Sequence, residues 1–186
     1  MIVSTALLVR ERGARATSLD AILAHSGAPR GSVYHHFPRG REQLLREATE
    51  YAGEYVARRL ERGGDGDPLA ALDALFDEYS ATLVASDFRA GCPVVAVAIE
   101  SPEEGPDLRD VALAAFERWR RALAGALEAS GIADERADEL AIIVIAAFEG
   151  ALILSRACRD LGPLESVRHE LHARVNGELD QLSAAR

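Results

Sequence analysis

A short segment near the N-terminus concentrates side chains that can bind a polyanion. Arg30, Ser32, Tyr34, His35 and His36 lie close together, and all carry hydrogen-bonding groups. Arginine can pair with guanine edges or phosphate oxygens, and hydroxyl groups donate to phosphate. This set on one short helix indicates contact with a nucleic acid. For the two histidines, an exposed position without a function is the alternative interpretation.

Local signals place these side chains on the second helix of a helix-turn-helix. Ser18 can cap a helix over residues 19–25, and Gly27 can end it in the left-handed conformation. Pro29 suits the start of a following helix over residues 30–36. The apolar residues expected to pack between these helices are Leu19, Ile22, Leu23, Val33 and Phe37. A helix held in this way can lie in the major groove of DNA.

The remaining chain also has helical periodicity, and no stretch alternates with the period of a strand. The residues from Gly63 to Pro68 form the clearest linker in the sequence. Further helices are predicted at about 2–12, 41–62, 69–86, 93–100, 107–130, 135–160 and 164–182. The predicted fold class is all-α with about nine helices. Its predicted domains are an N-terminal three-helix, helix-turn-helix DNA-binding domain, residues 1–44, and a C-terminal helical domain, residues 45–186, to which the family resemblance given below assigns ligand sensing and dimerisation.

The charge of the chain is divided unevenly. All 21 basic residues are arginine, and the formal net charge is −9. Residues 1–62 hold ten arginines against seven acidic residues, whereas residues 63–186 hold eleven against 23. This distribution argues against a protein that coats nucleic acid with its whole surface, and it indicates that only the first third meets a polyanion. Chance clustering of charges is the alternative.

Other classes of protein find little support in the sequence. The two cysteines have no disulfide or metal-ligand spacing, and no clustered catalytic residues are present, so we expect no enzyme activity, no cofactor and no metal site. The longest apolar run, Leu140 to Phe148, is too short to span a membrane, so we expect no membrane partner and a cytoplasmic location. His169 and His172 could bind a metal weakly, but exposed histidines without a function are the alternative.

The helix-turn-helix segment resembles the N-terminal domain of the TetR/AcrR family of transcriptional regulators. The matching residues are Thr17, Asp20, Ile22, Gly27, Gly31-Ser32-Val33-Tyr34, His36-Phe37 and Arg41-Glu42-Gln43-Leu44. Gly91-Cys92-Pro93-Val94 and Phe148-Glu149-Gly150-Ala151-Leu152 resemble the LmrA/YxaF-like branch. The resemblance implies a repressor that binds a near-palindromic double-stranded operator as a homodimer and is released by a small-molecule inducer. A helical protein–protein adaptor that has lost DNA binding is the alternative.

The resemblance also implies roles for single residues. Phosphate contacts are expected from the hydroxyls of Thr17 and Ser18 and from Arg41, which stands where the family usually has lysine. The whole expected DNA-binding set is Thr17, Ser18, Ala28, Pro29, Arg30, Gly31, Ser32, Tyr34, His35, His36 and Arg41. Arg30, Gly31 and Ser32 would lie near base edges, whereas Tyr34 and His36 would grip the backbone. Ala28-Pro29 replaces the usual capping serine or threonine, so one phosphate hydroxyl is missing.

The C-terminal body has one helix, residues 135–160, that is apolar on every side over residues 140–148. Such a helix must be covered all round, by its own core and by a second subunit. The resemblance implies a homodimer through helices near 135–160 and 164–182. A central helix in a monomeric bundle is the alternative.

A ligand pocket is implied by the same resemblance. Its candidate lining residues are Phe76, Tyr79, Leu83, Phe88, Cys92, Val95, Phe116, Trp119, Phe148 and Leu152, each of which could instead be simple core. Glu149, a carboxylate within an apolar run, is expected to pair with Arg120 or Arg121. It could also lie at the dimer interface or face a ligand. Cys92, just before a proline, is either a redox-sensitive thiol or a small buried residue.

Overall fold

The computed structural model describes residues 1–62, 67–104 and 106–184, and these residues form nine α-helices and no strand. The helices are α1 (Ile2–Arg12), α2 (Leu19–Ser26), α3 (Arg30–His36), α4 (Arg41–Arg62), α5 (Pro68–Ala85), α6 (Pro93–Glu104), α7 (Pro106–Ala129), α8 (Asp134–Cys158) and α9 (Gly162–Ala184). The predicted all-α class is confirmed. Most of the predicted linker, residues 63–66, lies outside the described residues.

The ends of α2 and the start of α3 follow from local chemistry. The Ser18 hydroxyl accepts a hydrogen bond from the Ala21 N–H at 3.2 Å and so caps α2, as predicted. Gly27 ends α2 with a φ of +66°, a left-handed conformation that glycine adopts without strain. Pro29 then immediately precedes α3 in an extended conformation. The predicted helix-turn-helix is confirmed at these positions.

The chain forms two compact units. The first comprises Met1–Tyr55 and Arg89–Phe116, and the second comprises Val56–Phe88 and Glu117–Arg186. The first unit therefore contains α6 and the beginning of α7 as well as the helix-turn-helix. It is larger than the predicted DNA-binding domain, whose boundary after residue 44 stays a prediction.

The core of the helix-turn-helix is small and apolar. Its buried members are Leu8, Ile22, Val33, Phe37 and Leu44, against which Leu19 and Leu23 pack partly buried. The five residues predicted to fix the angle between α2 and α3 therefore belong to this core. Burial of one such side chain stabilises a fold by about 1.5–3 kcal/mol, so this cluster is the main reason that α3 keeps its place.

The second unit is built around α8, which packs against α9. One side of α8 buries large apolar residues, among them Leu140, Val144 and Leu152, whereas Ile142 and Ile153 are about half exposed. By length and composition α8 could cross a membrane, but a core helix of a soluble protein passes the same test. The apolar residues of α8 therefore lie on two faces, one buried and one exposed to solvent.

Charged side chains tie α9 to its neighbours in the second unit. Arg168 on α9 donates to Asp73 on α5 at 2.7 Å, and His172 lies 2.7 Å from the same carboxylate oxygen. Burial raises the pKa of Asp73, but hydrogen bonds from His172 and Arg168 outweigh it and leave the pKa below its usual value. Asp73 therefore stabilises the fold at neutral pH, and this contribution is lost as the pH falls through that lowered pKa.

The contact between His172 and Asp73 also corrects the alternative in which His169 and His172 bind a metal. His172 is engaged with α5, whereas His169 is exposed. Within the part of the chain that the structure describes, no group of three or more His, Cys, Asp or Glu side chains could hold a metal ion. The role of His172 is to tie two helices together.

Candidate nucleic-acid interface

Most side chains of α3 that were expected to contact DNA are open to solvent. Tyr34 is 61% exposed, and Arg30, Gly31, His35 and His36 are exposed as well. Ser32 is half-buried, and its hydroxyl donates to the Pro29 carbonyl at 2.7 Å. We call these six residues of α3 the α3 surface. Its hydrogen-bonding groups face outward while Val33 faces the core.

Arg30 is held in place by an ion pair. Its guanidinium donates to the Asp20 carboxylate on α2, and both side chains are more than half exposed. An exposed pair of this kind contributes about 0–1 kcal/mol, so little free energy is lost when Arg30 exchanges the carboxylate for a base edge or a phosphate. The pair therefore orients Arg30 next to α2 without preventing a contact with DNA.

Tyr34 lies over the turn that follows α3. Gly40 has a φ of +58°, and a β-carbon there would lie only 3.2 Å from Tyr34 Cε1. Glycine therefore serves two purposes at this position, since it permits the backbone conformation and leaves room for the ring. The ring of His35 lies edge-on to that of His36, with centroids 4.8 Å apart. These contacts restrict the aromatic side chains of the α3 surface without burying them.

Thr17 does not reach the outside of the protein. Its side chain is fully buried, and its hydroxyl donates to the Gly13 carbonyl at 2.7 Å. The expected phosphate contact from the Thr17 hydroxyl is therefore wrong for this structure, because that group already closes the turn between α1 and α2. Ser18, in contrast, is exposed beside it.

Arg41 is used in the same turn. Its Nε donates to the Thr17 carbonyl at 2.8 Å, and its Nη2 donates to the Ala14 carbonyl at 2.6 Å. The side chain is half-buried, so its guanidinium holds the backbone that leads into α2. A phosphate contact by Arg41 stays a prediction, and it would have to use the part of the guanidinium that points away from these carbonyls.

The structure adds one cation that the sequence interpretation did not include. Arg39, between α3 and α4, is about half exposed and lies 3.3 Å from Asp107 and 3.6 Å from Glu42. At the start of α3, Ala28 is half-buried and Pro29 is exposed, and no side chain caps this helix. The sequence could have predicted an exposed Arg39, because an arginine that follows a recognition helix and lies outside its apolar pattern usually faces solvent.

A small, partly open apolar cavity lies in the second unit and is walled by α4, α5, α7 and α8. Its lining residues are Val56, Leu60, Leu72, Leu75, Tyr79, Trp119, Leu123, Val144, Ile145, Phe148 and Glu149. Of the ten residues predicted to line a pocket, Tyr79, Trp119 and Phe148 are among them. The sequence prediction did not include the other lining residues. Helical spacing, as between Val56 and Leu60, was the signal that could have identified them.

The remaining predicted pocket residues do not line this cavity. Phe76, Leu83, Phe88 and Leu152 belong to the same unit, and the Phe76 ring packs edge-on against the Phe148 ring. The other three, Cys92, Val95 and Phe116, belong to the first unit. Cys92 is buried and is not part of a disulfide, in keeping with a small core residue. A ligand role for these seven residues stays a prediction.

Glu149 does not form the predicted pair with Arg120 or Arg121. Arg120 instead pairs with Glu117 and Asp138, and Arg121 donates to the Glu117 carbonyl at 3.3 Å. Glu149 is only 8% exposed and lines the cavity. A ligand contact by Glu149, or a place for it at the dimer interface, stays a prediction.

The first unit thus has the structure of a helix-turn-helix DNA-binding protein, and the second has a small apolar cavity. Comparison with known proteins agrees. Residues 2–48 match the family described as bacterial regulatory proteins, tetR family, and residues 68–170 match the C-terminal domain of LmrA/YxaF-like transcriptional regulators. The chain belongs to the TetR family of bacterial transcriptional regulators.

Individual relatives support this assignment. The chain is 47% identical to an uncharacterised HTH-type transcriptional regulator of Mycobacterium tuberculosis, over 98% of this chain and 96% of that protein. It is 31% identical to the HTH-type transcriptional regulator LmrA of Bacillus subtilis, over 84% of this chain and 85% of that protein. A crystal structure of regulatory protein TetR from Rhodobacter sphaeroides has a TM-score of 0.80 and 26% identity, and the match covers 91% of this chain and 94% of that one. These relatives are transcriptional regulators rather than enzymes.

Proposed function

We propose that this regulator is a repressor that binds a near-palindromic operator as a homodimer and leaves it when a small molecule occupies the cavity. The observation that carries the proposal is the exposed, hydrogen-bonding α3 surface on a helix whose other side is locked into an apolar core. The protein would act in the cytoplasm, where its operator is found. No membrane partner and no cofactor are part of this proposal.

On the operator, each α3 would enter a major groove. Arg30, Gly31 and Ser32 would lie near base edges, and Tyr34 and His36 would contact the backbone. Ser18, Ala28, Pro29, His35 and Arg41 complete the proposed contact set, from which the buried hydroxyl of Thr17 is removed. Two-fold symmetry would place the two recognition helices about one helical turn of DNA apart, or a multiple of it.

The open face of α8 supports the proposed dimer. Ile142, Ala146 and Ile153 are exposed, and their spacing of four and eleven residues puts them on one side of a helix. Leu154 and Ala157, also exposed, extend this apolar stripe towards the end of α8. A second copy of the same stripe, related by a two-fold axis, would cover it. The proposed interface includes α9, in line with the helices predicted near 135–160 and 164–182.

Operator binding is tested with fragments from the neighbourhood of the gene. The purified protein is expected to prefer one near-palindromic fragment over a scrambled copy, and the logarithm of its affinity should fall steeply with the logarithm of the salt concentration. The complex should contain two protein chains for each site, as measured by its mass in solution. Equal binding to both fragments at low salt would instead favour the adaptor function, in which DNA binding has been lost.

The cavity is tested by filling it. Val144→Phe adds a ring to a wall of the cavity, whereas Val84→Phe makes the same change on an exposed position of α5. We expect about tenfold weaker binding of the apolar dye N-phenyl-1-naphthylamine to the Val144 variant only, because the added ring takes up space that the dye would occupy; tenfold corresponds to about 1.4 kcal/mol. Energy transfer from Trp119, the single tryptophan, reports the position of the dye. Equal dye binding by the two variants would contradict a ligand role for this cavity.

A further inference from the structure

A carboxylate from α6 holds the turn between α1 and α2. Glu100 Oε2 accepts a hydrogen bond from the backbone N–H of Arg15 at 2.7 Å, across 85 positions of the sequence. Both residues belong to the first unit, in which α1 packs against α6. Neither helical periodicity nor any motif of the family resemblance points to Glu100, so this contact is a property of the folded chain.

Gly13 gives the carboxylate its place against the backbone. A β-carbon at this position would collide with Glu100 Oε1, and the φ of +85° disfavours any other residue as well. The same side chain thus reaches the turn with both oxygens, one against Gly13 and the other on the Arg15 amide. Glycine at position 13 is required for this approach.

The α6 side of the turn is reinforced near the start of that helix. The Gly91 N–H donates to the Arg10 carbonyl at 2.8 Å. Arg41 holds the carbonyls of the turn from α4, as described above. Within residues 13–18, just before α2 begins, two backbone carbonyls therefore bind the Arg41 guanidinium and one backbone amide binds the Glu100 carboxylate.

We propose that Glu100 is a positioning residue for operator binding, which keeps residues 13–18 and the start of α2 in the arrangement that DNA requires. This inference rests on the proposed DNA-binding function. Because Glu100 itself would not touch a phosphate, its loss should weaken binding through the cost of ordering the turn. It should leave unchanged the slope of log affinity against log salt, which counts phosphate contacts.

Operator affinity tests this role. E100A is expected to bind the operator about tenfold more weakly than the wild-type protein, with the same salt slope, because a hydrogen bond to a charged group is lost. E100Q keeps an oxygen that can accept the Arg15 N–H and should recover most of the affinity. E11A removes a carboxylate that pairs only loosely, at 3.9 Å, with the exposed Arg89, and it should stay within about twofold of wild type. Equal affinities of E100A and E11A would overturn the proposal, as would E100Q binding no better than E100A.

Amide hydrogen exchange tests the contact without DNA. The Arg15 amide should exchange about tenfold faster in E100A, and about threefold faster in E100Q, since a neutral acceptor holds the N–H less strongly than a carboxylate. An unchanged rate in E100Q overturns the proposal even if E100A does not fold. Absence of operator binding by the wild-type protein would refute the proposed function, and the exchange rates would still decide whether Glu100 holds the turn.

Discussion

Replacement of Ile22 by alanine is expected to destabilise the protein by about 2–5 kcal/mol and to abolish operator binding at temperatures where the wild-type protein still binds. Ile22 is fully buried between α2, α3 and the first helix, in the core that also holds Val33 and Phe37. Alanine leaves a cavity there, and the neighbouring helices can close it only in part. The angle of α3 depends on this small cluster, so its loss affects both stability and recognition.

The measurement is thermal and urea denaturation followed by circular dichroism, combined with operator titration. Leu113→Ala is the matched control, because it also removes an aliphatic side chain from the first unit, at a position that is 57% exposed. Its effect should stay within about 0.5 kcal/mol. Similar losses for the two variants would show that the small core does not determine the stability of the helix-turn-helix.

Arg30→Ala should weaken operator binding by about ten- to a hundredfold and should also relax the preference for one base pair. Tyr34→Ala should weaken binding to all sequences by a similar factor, without a change in base preference. The difference follows from position and charge. Arg30 begins α3 and carries a planar donor pair suited to guanine, whereas Tyr34 is neutral and lies over the turn at Gly40.

Salt titrations and a panel of operators with single base-pair changes separate the two roles. Only the Arg30 variant should lose base preference, whereas the slope of log affinity against log salt for the Tyr34 variant should be that of wild type, because the side chain removed is neutral. Arg109→Ala serves as the control. Arg109 is an exposed arginine of the same unit and pairs with Asp110, as Arg30 pairs with Asp20. Identical behaviour of the Arg30 and Tyr34 variants would contradict the assigned roles.

Sequence reasoning succeeded where structure depends on neighbours along the chain. Ser18, Gly27 and Pro29 act within a few residues of themselves, and they mark the ends of α2 and the start of α3 as predicted. The prediction was poorest at α6, which continues to Glu104 rather than ending near residue 100.

The roles of Thr17, Arg41 and Glu149 could not be predicted in the same way. Arg41 donates to the Ala14 carbonyl, 27 positions away in the sequence. The family resemblance implied only a phosphate contact for Arg41 and did not predict this hydrogen bond. For Glu149, the sequence showed only a carboxylate in an apolar helix. The expected partner, Arg120, pairs with Asp138 because of how the helices pack. Contacts of this kind depend on tertiary structure.

The exposed stripe of α8 also has a consequence for how the stability of this protein should be stated. If two chains cover the stripe with each other, folding and association are linked by mass action, and the melting temperature depends on protein concentration. Each tenfold dilution would then lower the free energy of unfolding, from the folded dimer to two unfolded chains, by about 1.4 kcal/mol. Ile142 and Ile153 are about half exposed in one chain, and the rest of their contribution to stability would depend on the concentration of the second copy.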